Sequence, residues 1–320
     1  MKIAILDDYQ HAVRALSCFK LLEGHEVLIL DKSVRDISAL AATLQDISII
    51  VLIRERTPIT LDLLDKLPAL KLISQTGKVS GHLDLAACTQ HKVAVAEGTG
   101  SSFAPAELTW VLIMNTLRKL PAAIAAMKAG EWQINIGTSV HSKTVGIWGY
   151  GRIGKLVAGY ARAFGAKVLV WGSEASRNEA VADGYSAASD KAYFFRESDV
   201  VSLHLRLTAT TRGIVQEQDL LKMKPTAVFI NTSRAGLVEE GALLEALQQG
   251  RPGFAGLDVY EQEPIYDPMY PLLQLPNVVC TPHLGYVEEN SYELYFRSAF
   301  ENILHFIAGK PVNIANPEVL

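Results

Sequence analysis

Short apolar runs alternate along the chain with stretches whose apolar residues recur at helical spacing. This alternation predicts parallel β-sheets covered by helices on both faces. A first series of predicted strands covers residues 3–6, 27–30, 49–53, 70–73 and 93–95. A second series covers residues 144–148, 168–170, 200–203, 228–230, 253–257 and 278–279. We therefore expect an α/β fold with two doubly wound parallel-sheet domains.

Two long helical patterns flank the second series of strands. One runs from about Ser102 to Leu120, and the other from about Glu288 to Ala308. Because the last helix lies beyond the final strand of the second series, we expect it to return and cover the first domain. The predicted domains are residues 1–100 together with 286–320, and residues 101–285.

Composition and charge narrow the class of protein. The chain has 320 residues, 49% of them hydrophobic and 20% charged, with a formal net charge of −4. Such a chain can bury two cores, and its charge gives no reason to expect nucleic acid or a membrane as a partner. Cys18, Cys88 and Cys280 are widely spaced without a CxxC pattern. They predict reduced cysteines in a cytoplasmic protein, and we expect no metal site.

A glycine-rich turn follows the first strand of the second series. Its residues are Gly149, Tyr150, Gly151, Arg152, Ile153 and Gly154. In such a turn the first glycine permits a tight bend, the second lets the backbone approach a pyrophosphate, and the third lets the helix pack closely on the strand. With a strand before it and a helix after it, the turn predicts a dinucleotide-binding site.

The end of the next strand leaves the choice between NAD and NADP open. An acidic residue that binds the ribose hydroxyls is usual there, but this strand ends in Gly172, followed by Ser173 and Glu174. Arg177 is a candidate partner for the 2'-phosphate of NADP, and Glu174 is a candidate for the ribose hydroxyls of NAD. Each charge is equally compatible with a solvated loop residue.

Arg234, Glu263 and His283 each lie a few residues past a predicted strand end in the second domain. The carboxyl ends of parallel strands meet at one edge of a sheet, which is where ligands of such folds bind. An arginine binds a carboxylate through two hydrogen bonds, and a histidine exchanges a proton near neutral pH. A neighbouring carboxylate favours the imidazolium form. Together the three residues predict a catalytic site.

With these motifs the chain resembles the D-isomer-specific 2-hydroxyacid dehydrogenases over nearly its whole length. The segments that carry the resemblance are the glycine-rich turn, 199–205 with Thr211, 223–225, 231–234, 258–264, 275–278 and 281–283. The resemblance implies a flavodoxin-like substrate domain into which a Rossmann cofactor domain is inserted. It also implies hydride transfer between NAD or NADP and a small D-2-hydroxy acid or 2-keto acid. The resemblance further implies a homodimer formed through the helix at 102–120, although a buried interdomain helix would show the same apolar stripe.

The resemblance also assigns roles to individual residues. Arg234 binds the substrate carboxylate, His283 is the acid and base, and Glu263 supports His283. Besides the glycine-rich turn, the predicted cofactor-binding residues are Ser173, Glu174, Arg177, His204, Thr211, Thr232 and Asp258, the last of them near the nicotinamide.

The substrate-binding loop departs from the family pattern. Backbone N–H groups from Gly77 to Val79 are expected to bind the substrate carboxylate together with Arg234. Lys78 places an unusual positive charge in this loop, and Arg54 or Arg56 after the third strand are further candidates for substrate contact. For both arginines a solvated position is at least as compatible with the sequence.

Other functions remain open at this point. Related corepressors keep the fold as non-catalytic NAD(H)-sensing modules, and formate or phosphite dehydrogenases use it for substrates without an alkyl tail. Phosphoglycerate dehydrogenase activity is an alternative within the class. The sequence does not name the hydroxy acid.

Overall fold

The computed structural model describes residues 1–320. The chain divides into two compact units. The terminal unit contains Met1–Ser101 and Glu288–Leu320, so both chain ends contribute to it. The inserted unit contains Ser102–Val287. Each unit has one sheet in which all strands are parallel, which confirms the predicted fold class of two doubly wound parallel sheets.

The terminal unit has a five-stranded sheet in the order β2-β1-β3-β4-β5. Its strands are β1 (Lys2–Ile5), β2 (Glu26–Ile29), β3 (Ile49–Leu52), β4 (Leu72–Gln75) and β5 (Ala94–Ala96). Strands β3, β4 and β5 are buried along their whole length, as expected when helices cover both faces. Strand β2 lies at the edge and alternates between exposed and half-buried residues.

Strand β4 starts two residues later than predicted, and two polar residues continue it. Ser74 and Gln75 are both fully buried. The Ser74 hydroxyl donates to the carbonyl of Ala299 at 2.8 Å, and the Gln75 amide donates to the carbonyl of Arg54 at 2.8 Å. Buried polar groups are tolerated when they are hydrogen-bonded, so an apolar pattern alone places the end of this strand too early.

Three helices accompany the first strands: α1 (Ile37–Leu44), α2 (Leu61–Leu64) and α3 (Leu85–Gln90). Asp36, Thr60 and Asp84 precede them, and each side chain accepts a backbone N–H of the first turn. Such caps satisfy donors that a helix start leaves without a partner.

The inserted unit has a seven-stranded sheet in the order β12-β11-β10-β9-β6-β7-β8. Its strands are β6 (Thr144–Trp148), β7 (Lys167–Trp171), β8 (Ser186–Ala187), β9 (Val200–Leu203), β10 (Val228–Asn231), β11 (Phe254–Leu257) and β12 (Val278–Cys280). Strand order reverses between β6 and β9. In open parallel sheets this switch point is where ligands bind.

The helices of the inserted unit are α4 (Phe103–Arg118), α5 (Leu120–Lys128), α6 (Arg152–Ala163), α7 (Glu174–Ala182), α8 (Lys191–Glu197), α9 (Glu217–Leu220) and α10 (Ala242–Gln248). Helix α4 packs on α6, β10 and β11. It ends two residues before the predicted boundary because Lys119 adopts a left-handed conformation, and α5 then begins at Leu120 with Pro121 in its first turn.

The chain returns to the terminal unit through α11 (Glu289–Ile307), which packs on β4. Short 3-10 helices cover Val13–Ala15, Ser17–Leu22, Ala235–Leu237, Pro271–Gln274 and Pro317–Val319. None of the helices combines the length and the apolar composition that crossing a membrane requires.

Candidate active site

The three glycines of the turn after β6 occupy positions with different structural surroundings. Gly149 has a φ of +101°, and a Cβ there would lie 2.5 Å from the carbonyl oxygen of His204. At Gly154 a Cβ would lie 2.1 Å from the carbonyl oxygen of Gly149. A Cβ at Gly151, in contrast, would meet no atom within 4 Å. The open backbone at Gly151 therefore fits the approach of a pyrophosphate, as the sequence predicted.

Helix α6 starts at Arg152 without a side-chain cap on its first N–H groups. Uncapped N–H groups at a helix start attract anions, so these residues fit the diphosphate of a dinucleotide. The side chain of Tyr150 is buried, with 3% of its surface exposed, and its hydroxyl donates to Asp183 at 2.7 Å. Only the backbone of Tyr150 is left for the predicted cofactor contact.

The residues that follow β7 differ in how far they are held by the fold. Ser173 accepts the N–H of Ser176 and caps α7, while Glu174 is exposed in its first turn. The guanidinium of Arg177 stacks 4.8 Å from the Trp171 ring centroid, and its Nε is buried without a hydrogen-bond partner. Arg177 is therefore held against the end of β7, which rules out the solvated alternative for this residue.

His204, at the end of β9, is the histidine that competes with His283 for the acid and base role. Its Nε2 lies 3.0 Å from the hydroxyl of Ser202. Burial lowers the pKa of His204 to about 3. Its ring is therefore neutral near pH 7, and it does not act as a proton donor there.

Two threonines predicted to bind the cofactor use their hydroxyl groups locally. The Thr211 hydroxyl donates to the carbonyl of Arg206 at 2.6 Å and so closes its own turn. The Thr232 hydroxyl lies 2.7 Å from the Thr109 hydroxyl on α4. Their contacts with a cofactor stay predictions.

His283 and Glu263 form the most specific side-chain contact of the site. His283 Nδ1 lies 2.5 Å from Glu263 Oε2, and Glu263 Oε1 accepts the backbone N–H of Tyr260 at 2.8 Å. An ionised carboxylate only accepts hydrogen bonds, so the proton sits on Nδ1 of His283. Nε2 is then the ring nitrogen that remains for proton transfer to a ligand.

Asp258 holds the segment that carries His283. Its carboxylate is fully buried and accepts the Thr281 hydroxyl at 2.6 Å and the N–H groups of Leu284 and Gly285 at 2.7 and 2.8 Å. Burial raises the pKa of Asp258, and these donors oppose that rise. His283 has a φ of +53°, a conformation that needs such support. The resemblance predicted a position of Asp258 near the nicotinamide, which stays a prediction, and sequence reasoning missed this anchoring role.

Arg234 is fixed by the residues before it. The Asn231 amide donates to the carbonyl of Arg234 at 2.9 Å and accepts the N–H of Ser233 at 3.0 Å. The Ser233 hydroxyl donates to the carbonyl of Leu203 on the neighbouring strand at 2.6 Å. The turn after β10 is therefore tied to β9. Strands β10, β11 and β12 are neighbours, so the structure brings the ends that carry Arg234, Glu263 and His283 to one edge.

In the terminal unit, Arg54 lies against the predicted substrate loop. Gly77 has a φ of +122°, and a Cβ there would lie 2.0 Å from Nη1 of Arg54. The same Nη1 donates to the carbonyl of Thr76 at 3.4 Å, and the guanidinium lies 5.6 Å from the Tyr295 ring centroid. Gly77 thus makes room for the arginine as well as for the turn.

Arg56 belongs to a different network. It donates to the carbonyl of Asp7 at 2.5 Å and to the Tyr292 hydroxyl at 3.2 Å, and it stacks 4.5 Å from the Tyr9 ring centroid. Of the two arginines that the sequence left open, the structure places Arg54 at the substrate loop.

The other charge of the loop has a partner that sequence reasoning missed. Lys78 Nζ lies 2.8 Å from Glu97 Oε2, and the Val79 N–H donates to Glu97 Oε1 at 2.8 Å. Glu97 comes directly after β5, the neighbour of β4 in the sheet. The sequence signal that could have indicated this contact is a charged residue directly after a predicted strand.

Comparison with known proteins agrees with this geometry. The family model for the NAD-binding domain of D-isomer-specific 2-hydroxyacid dehydrogenases matches residues 110–285. The chain is 32% identical to a glyoxylate reductase of Thermococcus litoralis over 303 residues, which cover 91% of this chain and 87% of that protein. A crystal structure from Ralstonia solanacearum, described provisionally as a D-3-phosphoglycerate dehydrogenase oxidoreductase, has 52% identity and a TM-score of 0.98, covering 100% of this chain and 98% of the other.

One relative is much longer than the matched region. The D-3-phosphoglycerate dehydrogenase of Methanocaldococcus jannaschii is 34% identical over 264 residues, which cover 82% of this chain and 50% of that protein. The chain spans about half the length of that relative.

The chain belongs to the D-isomer-specific 2-hydroxyacid dehydrogenase family. It is an oxidoreductase that uses NAD or NADP and acts on the 2-hydroxy acid and 2-keto acid pair.

Proposed function

We propose that this chain reduces a small 2-keto acid such as glyoxylate or hydroxypyruvate to its D-2-hydroxy acid, with the reverse oxidation on the same residues. The 2.5 Å contact between His283 and Glu263 carries this proposal. It supplies an oriented acid and base at the sheet edge where Arg234 also lies. The glyoxylate reductase among the relatives supports the choice of substrate.

His283 moves the proton. A nicotinamide held by the glycine-rich turn and the start of α6 would supply or accept the hydride. During reduction the protonated imidazole donates from Nε2 to the keto oxygen, and during oxidation neutral Nε2 accepts the hydroxyl proton. Glu263 stabilises the protonated ring and keeps Nδ1 turned toward itself, so Nε2 stays available for the substrate.

Arg234 binds the substrate carboxylate and polarises the keto oxygen. A guanidinium presents two parallel N–H groups to a carboxylate, which fixes orientation as well as charge. The ties from Asn231 and Ser233 hold in place the turn that carries Arg234. Arg54 beside Gly77 is the candidate contact for the substrate in the terminal unit.

A substrate panel tests the function. Oxidation of NADH and NADPH is followed with glyoxylate, hydroxypyruvate, pyruvate and 3-phosphohydroxypyruvate, with His283→Ala as the inactive variant and the exposed His305→Ala as its matched control. We expect turnover of at least one 2-keto acid by wild type and by His305→Ala. No turnover of any 2-keto acid, with cofactor binding intact, would favour the sensing module. Turnover of formate or phosphite alone would favour formate or phosphite dehydrogenase activity.

A second copy of the chain is the proposed partner of the inserted unit. Helices α4 and α5 and the segment after them expose several large apolar side chains, by 49% to 88% of their surface: Val111, Ile124, Met127, Trp132 and Ile136. An apolar surface of this kind marks an interaction site, and homodimers are the commonest assembly. Sedimentation of the Met127→Glu, Trp132→Glu double variant should show a monomer. Val181→Glu, at an exposed apolar site elsewhere, should leave the dimer intact.

We place the protein in the cytoplasm. Its three cysteines are free, and thiols persist in reducing compartments. An alkylating agent is added to freshly lysed cells, before and after the protein is unfolded. The thiols of Cys18 and Cys88 should react only after unfolding, because both are buried. A disulfide between any two cysteines would contradict this placement.

A further inference from the structure

Two consecutive residues after β5 hold the predicted substrate loop, which we define as Thr76–Val79. The N–H of Gly98 donates to the carbonyl of Gly77 at 2.8 Å. No side chain fits at Gly98, because a Cβ would lie 2.7 Å from the nitrogen of Gly77 and 2.7 Å from the carbonyl oxygen of Gln75. The backbone after β5 is therefore packed directly against the substrate loop.

Glu97 adds a charged contact to the same loop. One carboxylate oxygen accepts the Val79 N–H and the other pairs with the Lys78 ammonium, each at 2.8 Å. Glu97 is itself anchored, since its N–H donates to Asn313 at 2.9 Å and its carbonyl accepts from Asn302 at 3.0 Å. The Glu97 side chain is 25% exposed, and that of Lys78 is 71% exposed. The anchored carboxylate therefore holds the more exposed ammonium.

This geometry changes what the loop presents to a substrate. The Val79 amide and the Lys78 ammonium were the expected ligands of an anionic group, and both already bind a carboxylate of the chain itself. The charges of Lys78 and Glu97 offset each other, so this pair adds no net positive charge to the loop. A substrate tail with its own phosphate or second carboxylate needs further positive charge nearby.

We propose that the pair of Glu97 and Lys78 sets the charge of the substrate loop and thereby selects 2-keto acids whose tails carry no second negative charge. The pair acts as a specificity determinant for the function proposed above and rests on it. Glu97 is a positioning residue, because it acts through Lys78 and the Val79 amide.

Two substrates that differ only in a phosphate provide the test. We compare kcat/KM for hydroxypyruvate and 3-phosphohydroxypyruvate in the wild type, Glu97→Gln, Lys78→Met and the double variant. Glutamine keeps an oxygen that accepts the Val79 N–H but removes the charge. The pair then carries a net charge of zero in the wild type and the double variant, one positive charge in Glu97→Gln and one negative charge in Lys78→Met.

The wild type should prefer hydroxypyruvate. We divide kcat/KM for 3-phosphohydroxypyruvate by kcat/KM for hydroxypyruvate. This ratio should rise about 3- to 5-fold in Glu97→Gln and fall by a similar factor in Lys78→Met. In the double variant it should return to within about twofold of the wild-type ratio. Thermal midpoints and NAD(P)H affinity of each variant check the fold.

Several results would overturn the inference. If Glu97 only stabilises the loop, both substrates lose activity equally and the ratio does not follow the charge. A wild type that prefers the phosphorylated substrate contradicts the proposed selection directly. If the wild type reduces hydroxypyruvate and the ratio is the same in all four proteins, only this inference fails. If it reduces neither substrate, the proposed function fails as well.

Discussion

The catalytic edge of the inserted unit and the substrate loop of the terminal unit are built differently. Arg234, Glu263 and His283 follow three neighbouring strands, and polar side chains such as Asn231 and the buried Asp258 tie their segments to backbone groups. The substrate loop is held by a backbone hydrogen bond from Gly98 and by an ion pair, since Glu97 binds both the Val79 N–H and the Lys78 ammonium. In the proposed function, buried hydrogen bonds position the residues that carry the reaction, whereas the charge of the substrate loop depends on the Lys78 and Glu97 side chains, which a single substitution changes.

The largest effect is expected at the catalytic edge. His283→Ala removes the proposed acid and base, so kcat should fall by roughly 10²- to 10⁴-fold while NAD(P)H affinity changes little. Steady-state kinetics with the best 2-keto acid and a cofactor titration measure the two quantities. Turnover close to that of the wild type would remove His283 from the acid and base role.

Arg234→Lys tests the carboxylate contact on the same edge. The charge remains, but an ammonium does not reproduce the planar pair of N–H groups. KM for the keto acid should rise about 10- to 100-fold, the range expected for losing a hydrogen bond between charged groups. A KM equal to that of the wild type would show that another residue, such as Arg54, binds the carboxylate.

A smaller effect is expected at Arg177, the candidate partner for the 2'-phosphate of NADP. We expect NADPH to be usable, and Arg177→Ala to lower kcat/KM for NADPH about 10-fold while changing that for NADH by less than about twofold. Equal losses with both cofactors would mean that the stack on Trp171 is structural. Gly172→Asp should shift preference toward NADH, although the φ of +156° at Gly172 makes any side chain there strained.

The last effect concerns the stability of the fold in acid and leaves activity near neutral pH unchanged. His204 is held neutral, with a pKa lowered to about 3, so the unfolded chain binds a proton more readily than the folded one. This contribution is complete above about pH 6.5 and is lost as the pH falls toward 3. Between pH 6.5 and 5 it amounts to at most about 2 kcal/mol. Urea unfolding of His204→Asn should depend less on pH than that of wild type; identical slopes would contradict the assignment.

The same contrast explains what the sequence could predict. Buried parallel strands are predicted by apolar runs in the sequence, so the fold could be predicted. The motifs after β10, β11 and β12 indicate three residues at one edge of the sheet, and their catalytic roles stay predictions. The anchoring by Asp258 and the pairing of Lys78 with Glu97 were not, because they join residues 19 or more positions apart whose distance depends on strand order. The buried end of β4 was missed for a related reason, since Ser74 and Gln75 find their partners only in the folded chain.

The pH dependence of Glu263→Gln tests the central claim, that Glu263 holds the protonated imidazole of His283 ready to donate from Nε2. Rates of 2-keto acid reduction are measured from acid to alkaline pH in wild type and variant, at saturating cofactor. The amide no longer stabilises the imidazolium, so the alkaline limb of the profile should move to lower pH while KM for the cofactor stays the same. A profile that does not move would contradict the claim.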